Sequence, residues 1–136
     1  MELQQQIMLS FHGIDIIETK FNCLQPYNFE EKVNLDVEAK LINQSIKENF
    51  RLLMKVDLVV EKYFLFTVTA IGNFEFNGEI EDKKRNVLIN VNAPAIMFPY
   101  IRSFITTITA NFGNTLPALI IPPQFFKGDN LESIDL

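Results

Sequence analysis

The sequence predicts an α+β fold, in which a four-stranded antiparallel sheet carries a long C-terminal helix packed on it. Two observations predict this fold. Apolar and polar residues alternate in four segments between residues 7 and 77, as in strands that bury one face. From residue 95 onward the apolar residues recur every three or four positions, as on an amphipathic helix. The chain of 136 residues fits a single domain.

The first strand is predicted over residues 7–17, and Gly13 predicts a bulge because the parity of the apolar residues changes there. An ordered crossover loop follows over residues 22–31. The second strand, residues 32–41, has the cleanest alternation in the chain, and a turn is expected at residues 43–45. The apolar positions of the second strand are Val33, Leu35, Val37, Ala39 and Leu41.

The third and fourth strands are predicted over residues 50–61 and 63–77, where they form a hairpin. The fourth strand carries apolar residues on both faces, whereas a small antiparallel sheet needs only one apolar face. The second apolar face therefore predicts burial by another subunit or by a bound partner.

The helix is predicted from Ala95 to Asn111, and a turn at residues 112–114 ends it. Its apolar stripe consists of Ile101, Phe104, Ile105, Ile108 and Phe112. Threonines at positions 106, 107 and 109 lower the helix propensity, so propensity alone also allows a strand here. The spacing of the apolar residues favours the helix.

The charge balance argues against a nucleic-acid partner, because 17 acidic residues outnumber 12 basic ones and phosphate binding needs clustered Lys and Arg. The basic cluster Lys83-Lys84-Arg85 follows acidic residues and is interpreted as a solvated turn. No window offers the roughly twenty apolar residues of a membrane span. We therefore expect no insertion into a membrane.

Cysteine and histidine each occur once, as Cys23 and His12. One cysteine cannot form an internal disulfide, and the N-terminus lacks the basic and apolar stretches of a signal peptide, which predicts a cytoplasmic protein. The two residues offer neither the number nor the spacing of a metal site. Because no catalytic constellation is evident, the sequence predicts a protein that is not an enzyme and uses no cofactor.

One stretch resembles a known family. The run from Met97 to Pro117 contains Phe98-Pro99-Tyr100, then Arg102 within the helix, and it leads into a Leu- and Pro-rich exit. This combination resembles the core signature of the SecB family of protein-export chaperones. Residues 32–39 resemble the family's Val-x-Leu-x-Leu strand more weakly, and the order of the elements over residues 7–126 is also similar.

The resemblance implies an ATP-independent holdase that binds unfolded polypeptides, such as preproteins for export, in apolar grooves. The positions that it carries over as client-binding are Phe29, Val33, Leu35, Val37 and Phe126. It also implies a homotetramer, a dimer of dimers with the helices between two sheets. The helix residues that it implies at the oligomer interface are Ile101, Phe104, Ile105 and Ile108. Without the resemblance, the strand positions would be ordinary core residues.

The resemblance also bears on the SecA motor, which the family docks through acidic residues on the exposed face of the sheet. Asp15 matches one of them, Glu18 lies one place from another, and Leu65 matches a neighbouring apolar residue. Thr67 stands where a Glu is usual, and fewer carboxylates weaken an electrostatic docking site. The sequence therefore leaves open whether SecA is a partner. The chain stops before the family's full second helix, and residues 127–136 are expected to be a mobile tail.

Three alternatives stay open. A SecB-like chaperone dedicated to one client, such as an antitoxin, is a variant of the same function. A hot-dog-like acyl-thioester or lipid-binding module also wraps a sheet around an apolar helix, but its chemistry needs a positioned His or carboxylate, and His12 is on a predicted strand. A structural subunit would use its apolar faces for self-association alone, and apolar residues fit both uses.

Overall fold

Four long strands form one antiparallel sheet, and a short fifth strand extends it at one edge. The computed structural model describes residues 8–42, 48–124, 126 and 128–136. The strands are β1 (Leu9–Cys23), β2 (Asn34–Ile42), β3 (Asn49–Val60), β4 (Phe64–Phe76) and β5 (Ser133–Ile134). The helices are α1 (Asp82–Val87) and α2 (Ala93–Thr109), joined by a π-helical turn (Leu88–Asn92).

The order of the strands across the sheet is β1-β4-β3-β2-β5. Neighbouring strands are antiparallel except β2 and β5, which run parallel. Because α2 lies across β1, β4 and β3, the predicted α+β fold with an antiparallel sheet and a long C-terminal helix is confirmed. The strand count is one higher than predicted, since the two residues of β5 are too few to show a periodicity.

β1 extends beyond its predicted end and reaches Cys23. Its register shifts around Gly13 and again between Ile16 and Glu18. Gly13 has a φ of +94°, a conformation that glycine adopts without strain, so the predicted bulge is confirmed. The second bulge interrupts the alternation and hides the rest of the strand from a search for periodicity. Ile7, where the predicted strand began, lies outside the described residues.

β2, β3 and β4 agree with the predicted strands to within two residues at each end. β4 lies between β1 and β3, and on its outer face Thr67, Thr69 and Ile71 are each less than a tenth exposed. On the same face Leu65 is 43% exposed. The expectation that another subunit or a partner covers this face therefore stays a prediction. The turn predicted at residues 43–45 lies outside the described residues.

The helical run begins at Asp82, not at Ala95 as predicted, and ends at Thr109. The interpretation of Lys83-Lys84-Arg85 as a turn is therefore wrong, because this cluster belongs to α1. An acidic residue lies in the first turn of α1 and basic residues lie in its last turn. This order complements the helix dipole.

The π-helical turn joins α1 to α2 immediately before Pro94. The amide of Ala93 donates to the carbonyl of Leu88, five residues back. Pro94 has no amide hydrogen, and in an α-helix its ring would crowd the carbonyl of Asn90, so a widened turn fits here. Leu88 and Ile89 are buried, which anchors the turn to the core. A proline usually marks the start of a helix, and this hides α1 in the sequence.

The core lies between the inner face of the sheet and α2. Met97, Ile101 and Ile105 of α2 have no exposed surface. A Cβ atom at Gly72 of β4 would lie 2.9 Å from the sulfur of Met97, so the glycine lets α2 approach the sheet closely. Within the described ranges, no helix is both long and apolar enough to span a membrane.

Candidate functional site

A cleft of about 370 Å³ opens at the start of β2. Val33 and Leu35 of β2 form its sheet side together with Leu58 of β3, which pairs with Leu35. The opposite side is formed by residues 119–122, called here the exit segment because they leave α2. The cleft therefore has a largely apolar lining, with walls from two layers of the fold.

Three hydrogen bonds from α2 hold the exit segment in place. Thr106 Oγ1 donates to the Leu119 carbonyl at 2.6 Å, and the Leu119 amide donates to Thr109 Oγ1 at 2.8 Å. Arg102 Nε donates to the Ile121 carbonyl at 2.9 Å. Two of the three threonines that weaken the helix propensity, Thr106 and Thr109, thus bind the backbone of the segment that follows it.

Ile120 stands between these anchored residues, is 85% exposed and lines the cleft. Its neighbours Leu119 and Ile121 are buried, so the exit segment alternates as a strand does. A single exposed isoleucine is ordinary on a protein surface, but this one shares a cleft with Val33 and Leu35. Sequence reasoning misses Ile120 because the three apolar residues look alike, and only their burial separates them.

The apolar row of β2 continues from the cleft along the edge of the sheet. Val33 and Leu35 line the cleft, and Val37 follows on the same face. All three are half-buried, because they pack against the core on one side only. The structure therefore brings these three predicted client-binding residues together.

Phe29 lies outside the cleft lining, in the loop that leads into β2. It is 68% exposed and has a φ of +69°, a region that bulky residues seldom adopt. Tyr27 fixes this loop, since its ring centroid lies 5.9 Å from that of Tyr63 and 5.6 Å from that of Phe64. Its amide also donates to the Thr115 carbonyl at 3.0 Å. The loop thus holds one aromatic ring out in solvent.

Phe126 packs on α2 and does not line the cleft. Its ring centroid lies 6.1 Å from that of Phe98, at an interplanar angle of 69°. It is half-buried at the margin of the core. Of the five predicted client-binding residues, Phe29 and Phe126 are therefore the two that stand apart from the row on β2.

Among the described residues, little pairs with the outer backbone edge of β2 before Leu41. The amide of Leu41 points away from β3 and donates to the Glu132 carbonyl at 2.8 Å. Because backbone groups alternate in direction along an antiparallel strand, those of Leu35, Val37 and Ala39 point off the same edge. In the part of the chain that the structure describes, no strand pairs with these three residues on that side. Ala39 continues the apolar row on the same face, so the residues of the row also present the open backbone edge.

Lys40 links β2 to the C-terminal segment through two ion pairs. Its Nζ lies 3.1 Å from Glu38 Oε1 and 3.7 Å from Glu132 Oε2. The hydrogen bond to Glu38, followed by the charges of Glu38 and Glu132, raises the pKa of Lys40 above its usual value of 10.5. The ammonium group therefore stays charged at neutral pH.

The residues that the resemblance assigns to SecA docking lie on the outer face of the sheet. Asp15 accepts a hydrogen bond from Asn73 Nδ2 at 3.1 Å. Glu18 lies 3.6 Å from Lys20 Nζ, and Leu65 is 43% exposed. The three residues share a face, but each carboxylate already contacts a polar neighbour.

The four predicted interface residues of α2 differ in exposure. Ile101 and Ile105 have no exposed surface within the single chain, whereas Phe104 and Ile108 are half-buried. A second chain can reach only exposed atoms, so only Phe104 and Ile108 can contact one in this conformation. Their role in an oligomer stays a prediction.

His12 lies in β1, on the far side of the sheet from the cleft. Its Nε2 is 3.1 Å from Glu75 Oε1. By strand order, three strand spacings, about 14 Å, separate His12 from the cleft residues of β2, and two spacings, about 10 Å, separate it from Leu58 of β3. Among the described residues, no three His, Cys, Asp or Glu side chains are grouped so that they could hold a metal ion.

Comparison with known proteins identifies the family. Residues 13–128 match the family model described as preprotein translocase subunit SecB, and this range is most of the chain. The chain belongs to the SecB family. The resemblance seen in the sequence is thereby confirmed.

Two relatives of this SecB-family chain are similar along much of its length. It is 31% identical over 145 residues to Uncharacterized protein MJ0357 of Methanocaldococcus jannaschii, with 98% of this chain and 91% of that protein covered. It is 27% identical over 103 residues to Protein-export protein SecB of Alkalilimnicola ehrlichii, with 72% of this chain and 52% of that protein covered.

A solved structure has the same SecB-like fold. It is the Mycobacterium tuberculosis Rv1957 SecB-like chaperone in complex with a ChAD peptide from the Rv1956 HigA1 antitoxin. The TM-score is 0.64, with 88% of this chain and 93% of that chain covered. The sequence identity is 12%, so this match shows the fold alone.

Proposed function

We propose that the chain is an ATP-independent holdase that binds unfolded polypeptide segments in the cleft and along the open edge of β2. The observation that carries this proposal is that the same residues, Leu35, Val37 and Ala39, present both an apolar row and an open backbone edge. An extended segment can lay its side chains against the row while its backbone pairs with the edge. Neither contact requires a particular client sequence, which suits a chaperone.

The energetics favour reversible binding. A segment that buries about 300 Å² of apolar surface on this row gains roughly 7 kcal/mol, at about 25 cal/mol per Å². Ordering the segment offsets much of that gain. The net affinity is therefore modest, and a modest affinity allows a holdase to release its client without nucleotide.

Val33, Leu35 and Val37 make the central client contacts in this proposal. Phe29 adds an exposed ring at the loop before β2, and flat aromatic rings adapt to varied partners. Phe126 contributes through its packing on Phe98 of α2.

The clients we propose first are preproteins awaiting export, held in the cytoplasm. The description of the matching family as a preprotein translocase subunit supports this choice. SecA, the motor that the resemblance implies, is then a candidate partner through Asp15, Glu18 and Leu65.

A single dedicated client, such as an antitoxin, is the second candidate. One observation favours it: Thr67, which stands where the family usually has a Glu, donates a hydrogen bond to Asp57 Oδ1 at 2.6 Å. The carboxylate that the family usually has at this position is therefore absent, and the neighbouring Asp57 carboxylate already accepts a hydrogen bond, which weakens an electrostatic docking site for SecA. The solved SecB-like chaperone of the same fold binds a peptide of an antitoxin.

We also propose that the chain assembles as a homotetramer through the exposed face of α2. Tyr100 on this helix is 54% exposed, and Phe104 and Ile108 keep part of their surface open. Apolar surface of this kind on a regular helix is typical of contacts between subunits.

A catalytic role is not part of the proposal. The hot-dog-like acyl-thioester alternative needs a His or carboxylate beside the apolar helix. His12 instead pairs with Glu75 in the sheet, two strand spacings, about 10 Å, from the nearest strand that lines the cleft. Turnover of acyl-CoA by the purified protein would overturn this part of the proposal.

The test is the affinity of a labelled unfolded polypeptide, measured by fluorescence anisotropy for the wild type, Ile120→Asp and Ile17→Asp. The two isoleucines are 85% and 52% exposed, so neither change should disturb folding. Ile120 lines the cleft, whereas Ile17 lies in β1, beyond β4 and β3. A client that covers the substituted position 120 must desolvate the new carboxylate, so we expect binding about tenfold weaker, or ~1.4 kcal/mol.

Ile17→Asp should bind as the wild type does. Equal affinities for all three proteins, or a wild type that does not bind unfolded polypeptide, would contradict the proposal. Suppression of client aggregation without ATP is the second readout, and it should follow the same order.

A further inference from the structure

The C-terminal segment crosses the π-helical turn on its way to the edge of β2. Gly128 has a φ of +93°, and a Cβ atom there would lie 3.0 Å from Val91 Cγ2, so glycine permits this close passage. The amide of Leu131 donates to Asn90 Oδ1 at 3.0 Å, and Asn90 Nδ2 donates to the Asn86 carbonyl at 2.8 Å. The first half of the segment is thus tied to the helical layer.

The second half of the segment occupies one end of the β2 edge. The Glu132 carbonyl accepts the amide of Leu41 at 2.8 Å, and β5 then pairs with Leu41 and Ile42 in parallel. The Glu132 carboxylate also reaches Lys40 Nζ at 3.7 Å. These are the backbone contacts that a bound strand would make at the same place.

The attachment of this segment to β2 is weak. β5 is two residues long, and the ion pair to Lys40 is exposed on the Glu132 side, which is 83% accessible. Exposed ion pairs contribute little, and short terminal elements with few buried contacts open most readily. Opening here would free Leu41 and Ile42 while the tie through Asn90 keeps the segment nearby.

We infer that residues 128–136 form a strap that competes with the client for the Leu41–Ile42 end of the β2 edge. A client segment long enough to pair along the whole of β2 displaces the strap, whereas a short segment binds beside it. This inference rests on the proposed function, because it concerns the regulation of the same edge. The mobile C-terminal tail expected from the sequence corresponds, for residues 128–136, to the open state of the strap.

The variant that opens the strap is I134P, because proline cannot donate a hydrogen bond to a strand ladder. Its matched control is I134V, which keeps the backbone donor at the same position. The probes are two labelled uncharged peptides: one of nine residues, the length of β2, and one of about five residues, which spans about 17 Å. Fluorescence anisotropy gives their affinities.

The long peptide should bind I134P about three- to tenfold more tightly than the wild type. In the wild type only the molecules with an open strap can pair with the whole peptide, which lowers the apparent affinity. The short peptide should bind all three proteins equally. A second variant, E132K, weakens the strap at an exposed side chain by repulsion of Lys40, and E79K is its charge-matched control. E132K should strengthen binding of the long peptide in the same direction, and E79K should not.

Hydrogen exchange supplies a readout that does not depend on the variants. When the long peptide binds the wild type, amides of residues 132–134 should exchange faster, while that of Leu41 stays protected. Equal affinities for wild type, I134P and E132K, or weaker binding by the variants, would contradict competition between the strap and the client. The proposed holdase function would be unaffected by that result. Folded proteins that bind neither peptide would overturn both.

Discussion

β4 and β2 carry the same alternating pattern but use it differently. The inner-face residues of β4 between Phe64 and Phe76 are all buried, because strands flank β4 on both sides and α2 covers it. The apolar row of β2, from Leu35 to Ala39, is half-buried, because no strand in the described ranges pairs with it on its outer side. The alternation identifies a strand, whereas its place in the sheet decides whether its apolar row becomes core or a binding surface.

The largest expected effect comes from Phe66→Ala in β4. Phe66 has no exposed surface, and its truncation leaves a cavity, so the free energy of unfolding should fall by about 3–5 kcal/mol. The same change at Phe29, which is 68% exposed, should cost under about 1 kcal/mol. Urea denaturation measures both values. If Phe29→Ala were as unstable as Phe66→Ala, the contrast between core and displayed rings would be lost.

Thr109→Val tests how α2 keeps the cleft open beside β2. Thr109 is fully buried, donates to the Ile105 carbonyl and accepts the amide of Leu119. Without the hydroxyl this amide loses its acceptor, so we expect a loss of about 1–3 kcal/mol in stability and weaker client binding. Thr107→Val, at an exposed position of the same helix, should change stability by under about 0.5 kcal/mol. Equal losses at both positions would show that the hydroxyl of Thr109 does not hold the exit segment.

Val56 and Val37 offer the sharpest form of the comparison, because they are cross-strand partners in β3 and β2. Val56 is 1% exposed, so Val56→Ala should cost roughly 2 kcal/mol of stability and leave client affinity unchanged. Val37 is half-buried, so Val37→Ala should lower the free energy of unfolding by under about 1 kcal/mol. The same change should lower the affinity for the client. Thermal unfolding and anisotropy separate the two effects. The reverse assignment would mean that the row on β2 is only core.

The smallest effect is expected at Lys40. Because its pKa is raised on folding, the stabilisation from its ammonium group is fully present below about pH 10.5 and is lost only as the pH rises through the folded pKa. Thermal stability of the wild type should therefore show no contribution from Lys40 titration between about pH 6 and pH 9. Lys40→Gln should free residues 132–134 to faster hydrogen exchange, whereas Lys55→Gln should not. Identical exchange in the two variants would show that the ion pair between Lys40 and Glu132 does not help to hold the strap on β2.

Much of the sheet could be predicted because each of β2, β3 and β4 carries mostly apolar residues at every second position along its whole length. β1 was harder, since its second bulge changes the parity of the apolar residues after Ile16. α1 was hidden by Pro94, which looks like a helix start but follows a π-helical turn. β5 is too short to carry any period and depends on Leu41 and Lys40 for its place.

The candidate site was predicted in part for a similar reason. Val33, Leu35 and Val37 belong to a regular strand, so their shared face follows from their spacing. Ile120 does not, because its exposure depends on three hydrogen bonds that α2 makes to the exit segment. From local sequence, Thr106 is only a residue of low helix propensity, because its partner, the Leu119 carbonyl, lies 13 residues further along the chain. Contacts between distant parts of the chain, and not local pattern, decide these positions.

The measurement that tests the central claim most directly is hydrogen exchange of the wild type with and without a bound unfolded client. The amides of Leu35, Val37 and Ala39 point off the open edge, so they should exchange fast alone and slowly with the client. The amides of β4 should not change. A bound client that leaves β2 unprotected, or that protects the outer face around Asp15 and Leu65 instead, would contradict the assignment of the β2 edge as the client-binding surface.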